Sequence, residues 1–198
     1  MSADPAPARG RPPSTSRASV DRVALEMFAT RGFEETTVDD IATALGVGRR
    51  TVFRYFASKN DIVWGDFDRV LERLRADLED QGDDVAVIDA IAAAAVSSNR
   101  YPADQQPDLR ARMTLITTVP ALQAHSMLRY ADWRAVIAEY AAHRRGETAA
   151  DLIPQALGFA ALGASMAAFS VWVRDGGDLE RLLSQSYAAV AAGFRDGT

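Results

Sequence analysis

Apolar positions recur every three or four residues along most of this chain, the period of helices buried on one face. Val20, Val23, Ala24, Met27 and Phe28 share one side of a predicted helix over residues 15–30, which Arg31-Gly32 ends and against which Phe33 packs back. Val38, Ile41, Ala42 and Leu45 mark a second helix. Thr37 is its N-cap, and Asp39 and Asp40 sit in its first turn, where the helix dipole favours negative charge. Gly46 is free to take positive φ at the end of this helix, and Val47 is an apolar plug for the turn. A short third helix over residues 49–56 buries Val52 and Phe56 and points Arg49, Arg50, Arg54 and Tyr55 outwards.

Ser58 or Asn60 then caps a long fourth helix, striped by Val63, Trp64, Phe67, Val70, Leu71, Leu74 and Leu78 and closed at Gln81-Gly82. Helices follow at about 84–98, 107–118, 120–144, 150–174 and 178–194. A Pro-marked loop occupies 99–107, and Asp175-Gly176-Gly177 separates the last two helices. No alternating stretch of convincing length reads as a strand and no internal repeat is visible, so the expected fold class is all-α.

The second and third helices change the picture most. Cap, glycine turn, apolar plug and a cationic second helix arrive together and in order, and that combination is a helix-turn-helix built to lie on DNA. Arg49 and Arg50 open the second motif helix, the end that reaches base edges, and either can grip a guanine bidentately. Arg54 can meet a base or a phosphate. A single module of this size is too small to be both tight and specific, so a homodimer on a palindromic site of double-stranded DNA is expected.

Charge supports the division into parts. Residues 1–60 carry nine Lys/Arg against seven Asp/Glu, and residues 61–198 carry thirteen against twenty. A DNA-facing head on an acidic body follows. The expected organisation is a disordered basic arm over 1–14, a helix-turn-helix domain over 15–60, and an effector-binding and dimerisation domain over 61–198. Within the arm, Arg9-Gly10-Arg11-Pro12 has the makings of a minor-groove hook carried by Arg9 and Arg11, though four residues fit a solvated tail equally well. The chain has no cysteine, which excludes disulfides and thiolate chemistry. With no apolar leader at its start, the expected location is the cytoplasm.

The run ATRGFEETTVDDIATALGVGRRTVFRYFASKNDIV, after a basic arm and a first helix and before a larger helical body, resembles the TetR family of bacterial one-component repressors. The match covers about residues 17–65. SKNDIVWGDFD, the helix around ADWRAVIAEYAAHRRG and the final helices also resemble regulators that accompany mycofactocin clusters. The resemblance implies phosphate contacts from Thr37, Thr51, Tyr55 and Lys59, which set register rather than read sequence. Two positions depart from the family pattern. Gly48 stands where a serine usually caps the recognition helix. Phe53 stands where many relatives carry tyrosine, and can touch a thymine methyl but not donate to a phosphate.

Leu152–Val173 is a run of twenty-two residues without a charge. Its length suits a membrane span, but Pro154, Gln155, Ser165 and Ser170 interrupt it, and Ala or Gly fills most other positions. Burial against a second subunit is the preferred reading, with Ala160, Gly163, Ala164 and Ala167 allowing close approach. The resemblance places the dimer interface on these last two helices, Tyr187 included, with no membrane partner.

The resemblance also implies an effector pocket in the body. Its candidate lining is Phe67, Leu71, Leu74, Met113, Ile116, Thr117, His125, Met127, Trp133 and Ile137, each of which is otherwise ordinary core. The mycofactocin resemblance and the apolar lining suggest a small apolar effector such as a long-chain acyl-CoA, with Arg73, Arg100 or Arg129 near its phosphates. The alternative is an architectural or membrane-attached helical DNA-binding protein without an effector. Enzymatic readings find no support. His125 and His143 are the only histidines, too far apart for a two-histidine helical metal site. Gly46-x-Gly48 lacks the Gly-Lys and the preceding strand of a phosphate loop. No catalytic residue, metal or cofactor is expected.

Overall fold

The computed structural model describes residues 15–193. The predicted arm, with Arg9 and Arg11, lies outside the described residues. Among those described, every regular element is a helix. The chain divides into two compact units after Ile62, two residues beyond the expected boundary.

The first unit holds α1 (Arg17–Arg31), α2 (Val38–Ala44), α3 (Arg49–Phe53) and the start of α4 (Lys59–Trp64). Caps account for its short helices. Ser16 accepts from Ser19 N while the Ser19 side chain returns to the Ser16 N–H. Thr37 and Asp40 make the same reciprocal pair at α2. Thr37 donates to the Asp40 carboxylate from its amide and hydroxyl, which holds that carboxyl below its ordinary range, with Arg31 adding a favourable charge. The contribution is present above the unfolded carboxylate pKa and is lost as pH falls through the lower folded value. Val20, Ala24, Phe28, Phe33, Ile41, Val52 and Phe56 form the buried core of this unit.

The fourth helix is not continuous. Ser58 caps it, its hydroxyl accepting from Asp61 N and donating to the Asp61 carboxylate. It stops at Trp64, and α5 starts afresh at Phe67 (Phe67–Glu79). Gly65 between them has φ +61° and is buried, with the Arg112 guanidinium 3.1 Å from where a Cβ would lie. Arg112 Nη1 also donates to the Val63 carbonyl at 3.0 Å, satisfying an acceptor at the end of α4. The apolar stripe runs unbroken through the kink, which is why periodicity alone joined the two pieces.

The second unit continues with α6 (Val87–Ser98), α7 (Gln106–Thr118), α8 (Pro120–Arg145), α9 (Leu152–Asp175) and α10 (Leu179–Ala192). The long α9 packs on both α8 and α10, and α6 packs on α5 and α10. Leu74, Leu78, Ile91, Ile137, Ala161, Leu183 and Tyr187 belong to one buried cluster. Gly158 lets α9 approach α8, since a Cβ there would lie 3.1 Å from the Arg134 carbonyl. The Tyr187 hydroxyl pairs with Ser165 Oγ at 2.9 Å and reaches the Ala161 carbonyl at 3.0 Å, so this buried polar atom is satisfied. Burial pushes the phenol well above its ordinary pKa, and it stays neutral. Arg144 ties α8 to the α5–α6 connection, donating to the carbonyls of Gly82, Asp83 and Val85.

Replacing Gly65 by Ala forces an L side chain into the left-handed region beside Arg112. Urea denaturation is expected to show a loss of about 1–2 kcal/mol. The same substitution at Gly48, where φ is −78°, is expected to change stability far less.

Candidate nucleic-acid interface

The turn between α2 and α3 fixes how the cationic helix is presented. Leu45 closes α2, Gly46 takes φ +66°, and two backbone bonds lock the reversal: Gly46 N to Thr43 O at 3.0 Å and Val47 N to Ala42 O at 3.0 Å. These are the paired bonds of a Schellman closure, and they need a residue at ease with positive φ. Gly48, in extended conformation, precedes α3 and offers no side-chain cap.

α3 is shorter than expected, ending at Phe53, with Arg54 and Tyr55 in a turn. Val52 and Phe56 are buried. Arg49, Arg50, Phe53 and Arg54 are exposed, and Thr51 and Tyr55 are half-buried. The exposed cations differ in what holds them. Arg49 Nη1 lies 3.0 Å from the Asp39 carboxylate of α2, and its guanidinium stands 5.3 Å from the Phe53 ring centre. Arg54 bends onto Tyr55, its Nη2 3.0 Å from the hydroxyl. Among the described residues, the Arg50 guanidinium makes no ion pair. Asp39 was absent from the sequence-based site. Its signal is a carboxylate ten residues before an arginine across a tight turn, which no helical periodicity flags.

Three residues expected at phosphates already have internal partners. The Thr37 hydroxyl belongs to its own capping box. The Tyr55 hydroxyl donates to the Thr15 carbonyl, while the Tyr55 carbonyl accepts from Arg17 at 2.9 Å. Lys59 Nζ donates to the carbonyls of Phe33 and Thr36 at 2.8 and 3.1 Å and lies 4.1 Å from the Phe33 ring centre. The last arrangement fastens the α1–α2 connection to the start of α4.

In the body the ten candidate effector residues divide between core and surface. Phe67, Leu71, Leu74, Ile116, Trp133 and Ile137 are buried, the first three and last two within the common core. Met113 and His125 are half-buried. Thr117 is exposed and donates to the Met113 carbonyl, and Met127 is 64% exposed. Arg129 stands over Phe67, with Trp64 packed edge-on to both Phe67 and Tyr130. Arg73 lies over Tyr101, and Arg100 pairs with Glu180 at 2.9 Å. Tyr101 and Glu180 border a cleft of about 400 Å³ between the α6–α7 connection and the α9–α10 turn, lined by polar groups together with Leu109, Trp172 and Leu179.

The interface candidates on α9 divide between its two faces, and Tyr187 lies on α10. Ala164 and Tyr187 are buried in the chain's own core, and Ala160 is half-buried. Gly163 and Ala167 are exposed, on the same face as Phe159 and Met166, which sequence reasoning passed over. The helix is long and apolar enough to cross a bilayer, with mean hydropathy 1.7, and a third of its most apolar window is buried within the chain. Among the described residues no group of three or more His, Asp or Glu could hold a metal ion.

Comparison with known proteins places these features in a family. Residues 22–63 match the model described as bacterial regulatory proteins, tetR family, and residues 85–195 match the MftR C-terminal domain. A Mycobacterium tuberculosis protein, named as the candidate mycofactocin biosynthesis transcriptional regulator MftR, is 40% identical over 93% of this chain and 94% of its own length. Among solved structures, FadR of Thermus thermophilus, a TetR family repressor in complex with lauroyl-CoA, superposes with TM-score 0.60 at 19% identity. That match covers 92% of this chain and 97% of FadR. SmeT bound to triclosan, from Stenotrophomonas maltophilia, gives TM-score 0.62 at 16% identity over 87% and 90% of the two chains.

Lys59→Met keeps the stem over Phe33 but takes the amine from the Phe33 and Thr36 carbonyls, leaving the former only its longer bond from Thr36 N at 3.4 Å. Chemical denaturation is expected to show a loss of about 1–3 kcal/mol in the head. An unchanged midpoint would mean that the amine is idle in the fold.

Proposed function

This chain belongs to the TetR family of bacterial transcriptional regulators, and we propose that it is a cytoplasmic, homodimeric repressor that binds a palindromic operator and leaves it when a small apolar effector enters the body. The observation that carries the DNA half is the exposed cationic face of α3. Arg49 and Arg50 stand at its first two positions, on a helix held by the buried Val52 and the Gly46 turn. Phosphate contacts would come from Thr51 and Arg54, with Thr37, Tyr55 and Lys59 contributing only so far as their internal bonds allow. Arg9 and Arg11 complete the proposed contacts from the arm.

Support for the effector half comes from relatives and from the composition of the body. The FadR neighbour holds lauroyl-CoA and the SmeT neighbour holds triclosan, both with extensive apolar parts. A long-chain acyl-CoA is the specific effector proposed. Because Phe67, Leu71, Leu74, Trp133 and Ile137 are packed together, an acyl chain would reach them only if α5 and α8 separate. Effector binding would therefore select an opened form, and DNA affinity would fall by the effector's preference for that form and by no more.

Footprinting on the chain's own upstream DNA, followed by titration with acyl-CoAs of graded length, tests both halves. Arg50→Ala is expected to cost about 1–3 kcal/mol on the operator and to relax one base position. Effector affinity is expected to rise by about 0.8 kcal/mol per buried methylene and then level off, with operator release at saturation. Flat affinity, or tight binding without release, would refute the acyl-CoA.

The exposed side of α9 is the proposed dimer surface, with Phe159, Gly163, Met166 and Ala167 at its centre. Ala167→Glu is expected to split the dimer in light scattering while far-UV circular dichroism stays unchanged. Ala164→Glu, which buries a charge in the chain's own core, is expected to unfold it instead. A dimer that survives Ala167→Glu would move the interface elsewhere.

A further inference from the structure

The pair formed by Asp39 and Arg49 lies on the surface proposed for DNA, and its value to folding is small. Both side chains are more than half exposed, at 62% and 59%, and an ion pair of that kind contributes close to nothing to stability. Asp39 also stands outside the capping box of α2, which Thr37 and Asp40 form. Its carboxylate stands within a Debye length of any phosphate that Arg49 approaches, so it weakens the pull on every DNA sequence alike. What the pair provides is orientation. Asp39 takes one N–H of Arg49 from the side of α2, and the Phe53 ring lies beneath the guanidinium. A donor remains on Nη1, with Nη2 and Nε free for the two acceptors of a guanine edge. Among the described residues, Arg50, the neighbouring cation, has no such brace.

We propose that Asp39 is a specificity-determining positioning residue: through its 3.0 Å contact with Arg49, and with Phe53 as a floor, it aims the Arg49 fork at one guanine and lowers general DNA affinity in exchange for discrimination at that base pair. The inference rests on the reading that Arg49 meets base edges. It also assigns Phe53 a role at the cation, beyond any contact with a thymine methyl.

The test starts by selecting a consensus from a randomised pool of double-stranded DNA with the full-length protein. Binding constants are then measured for the consensus, its single-base variants and an unrelated duplex, using wild type, Asp39→Asn, Asp39→Glu, Arg49→Ala and the Asp39→Asn/Arg49→Ala double variant. Asp39→Asn is expected to bind every duplex somewhat tighter and to lose about tenfold discrimination at one base pair of each half-site. That pair is the one that Arg49→Ala relaxes, and the double variant loses no more than Arg49→Ala alone. Asp39→Glu, which keeps the charge, restores most of the preference. If Asp39→Asn tightens all duplexes equally and keeps every base preference, the carboxylate only repels DNA and the inference is overturned, while Arg49 still stands as a reader. If Arg49→Ala relaxes no base, the reading of Arg49 itself fails and the inference goes with it. Melting curves on each variant separate these results from unfolding, with Asp39→Ala as a second neutral replacement.

Discussion

Two helices of seven and five residues cannot hold themselves in water, because each fixes more backbone than its few hydrogen bonds repay. The presentation of α3 therefore depends on the contacts at its ends. The Schellman closure at Gly46 sets the reversal, the Thr37–Asp40 box fixes the start of α2, and Lys59 fastens the loop before it. Val52 and Phe56 then anchor the far side of α3 in the core. With so few degrees of freedom left, the side chains at its first two positions are held by a rigid platform rather than by a flexible loop. Rigid placement matters for base reading, since a bidentate contact depends on direction as much as on charge.

The body solves a different problem. An apolar helix of twenty-four residues must find cover on every side, and within the chain α9 receives it on one side only, chiefly from α8 and α10 with α6 and α7 adding to them. Pro154, Gly158, Ala161, Ala164, Ala168 and Trp172 face inwards, and the small ones among them let neighbouring backbones come close. The opposite side keeps Phe159 and Met166 in water. A second subunit would remove that exposure, and the MftR-type body gives the family context in which the proposal stands.

Much of this was legible in the sequence, and what was missed has physical causes. The helix-turn-helix could be read because its signals are local: a cap, two carboxylates in a first turn, a glycine where φ turns positive. The break at Gly65 was hidden because Trp64 and Phe67 both pack inwards, so the apolar stripe gives no sign of the interruption. Tyr55 and Lys59 were assigned to DNA from the family pattern, yet their partners Thr15, Phe33 and Thr36 are brought near only by the tertiary fold. The effector lining shows the same limit. Periodicity separates inward from outward on one helix, but it does not tell a packed core from a space. It placed Leu74 and Ile137 inside and offered no reason to leave out Met127, which is exposed.

The anchoring of Lys59 has one more consequence, because it is the only lysine in the chain. All other basic side chains are arginines or histidines, which carry no primary amine. Acylation at this single ε-amine would cancel its charge and replace the donors that hold the Phe33 and Thr36 carbonyls, loosening the segment that seats the DNA-reading helices. The reactivity of that ε-amine thus reports on one contact, the seat of the α1–α2 connection against the start of α4.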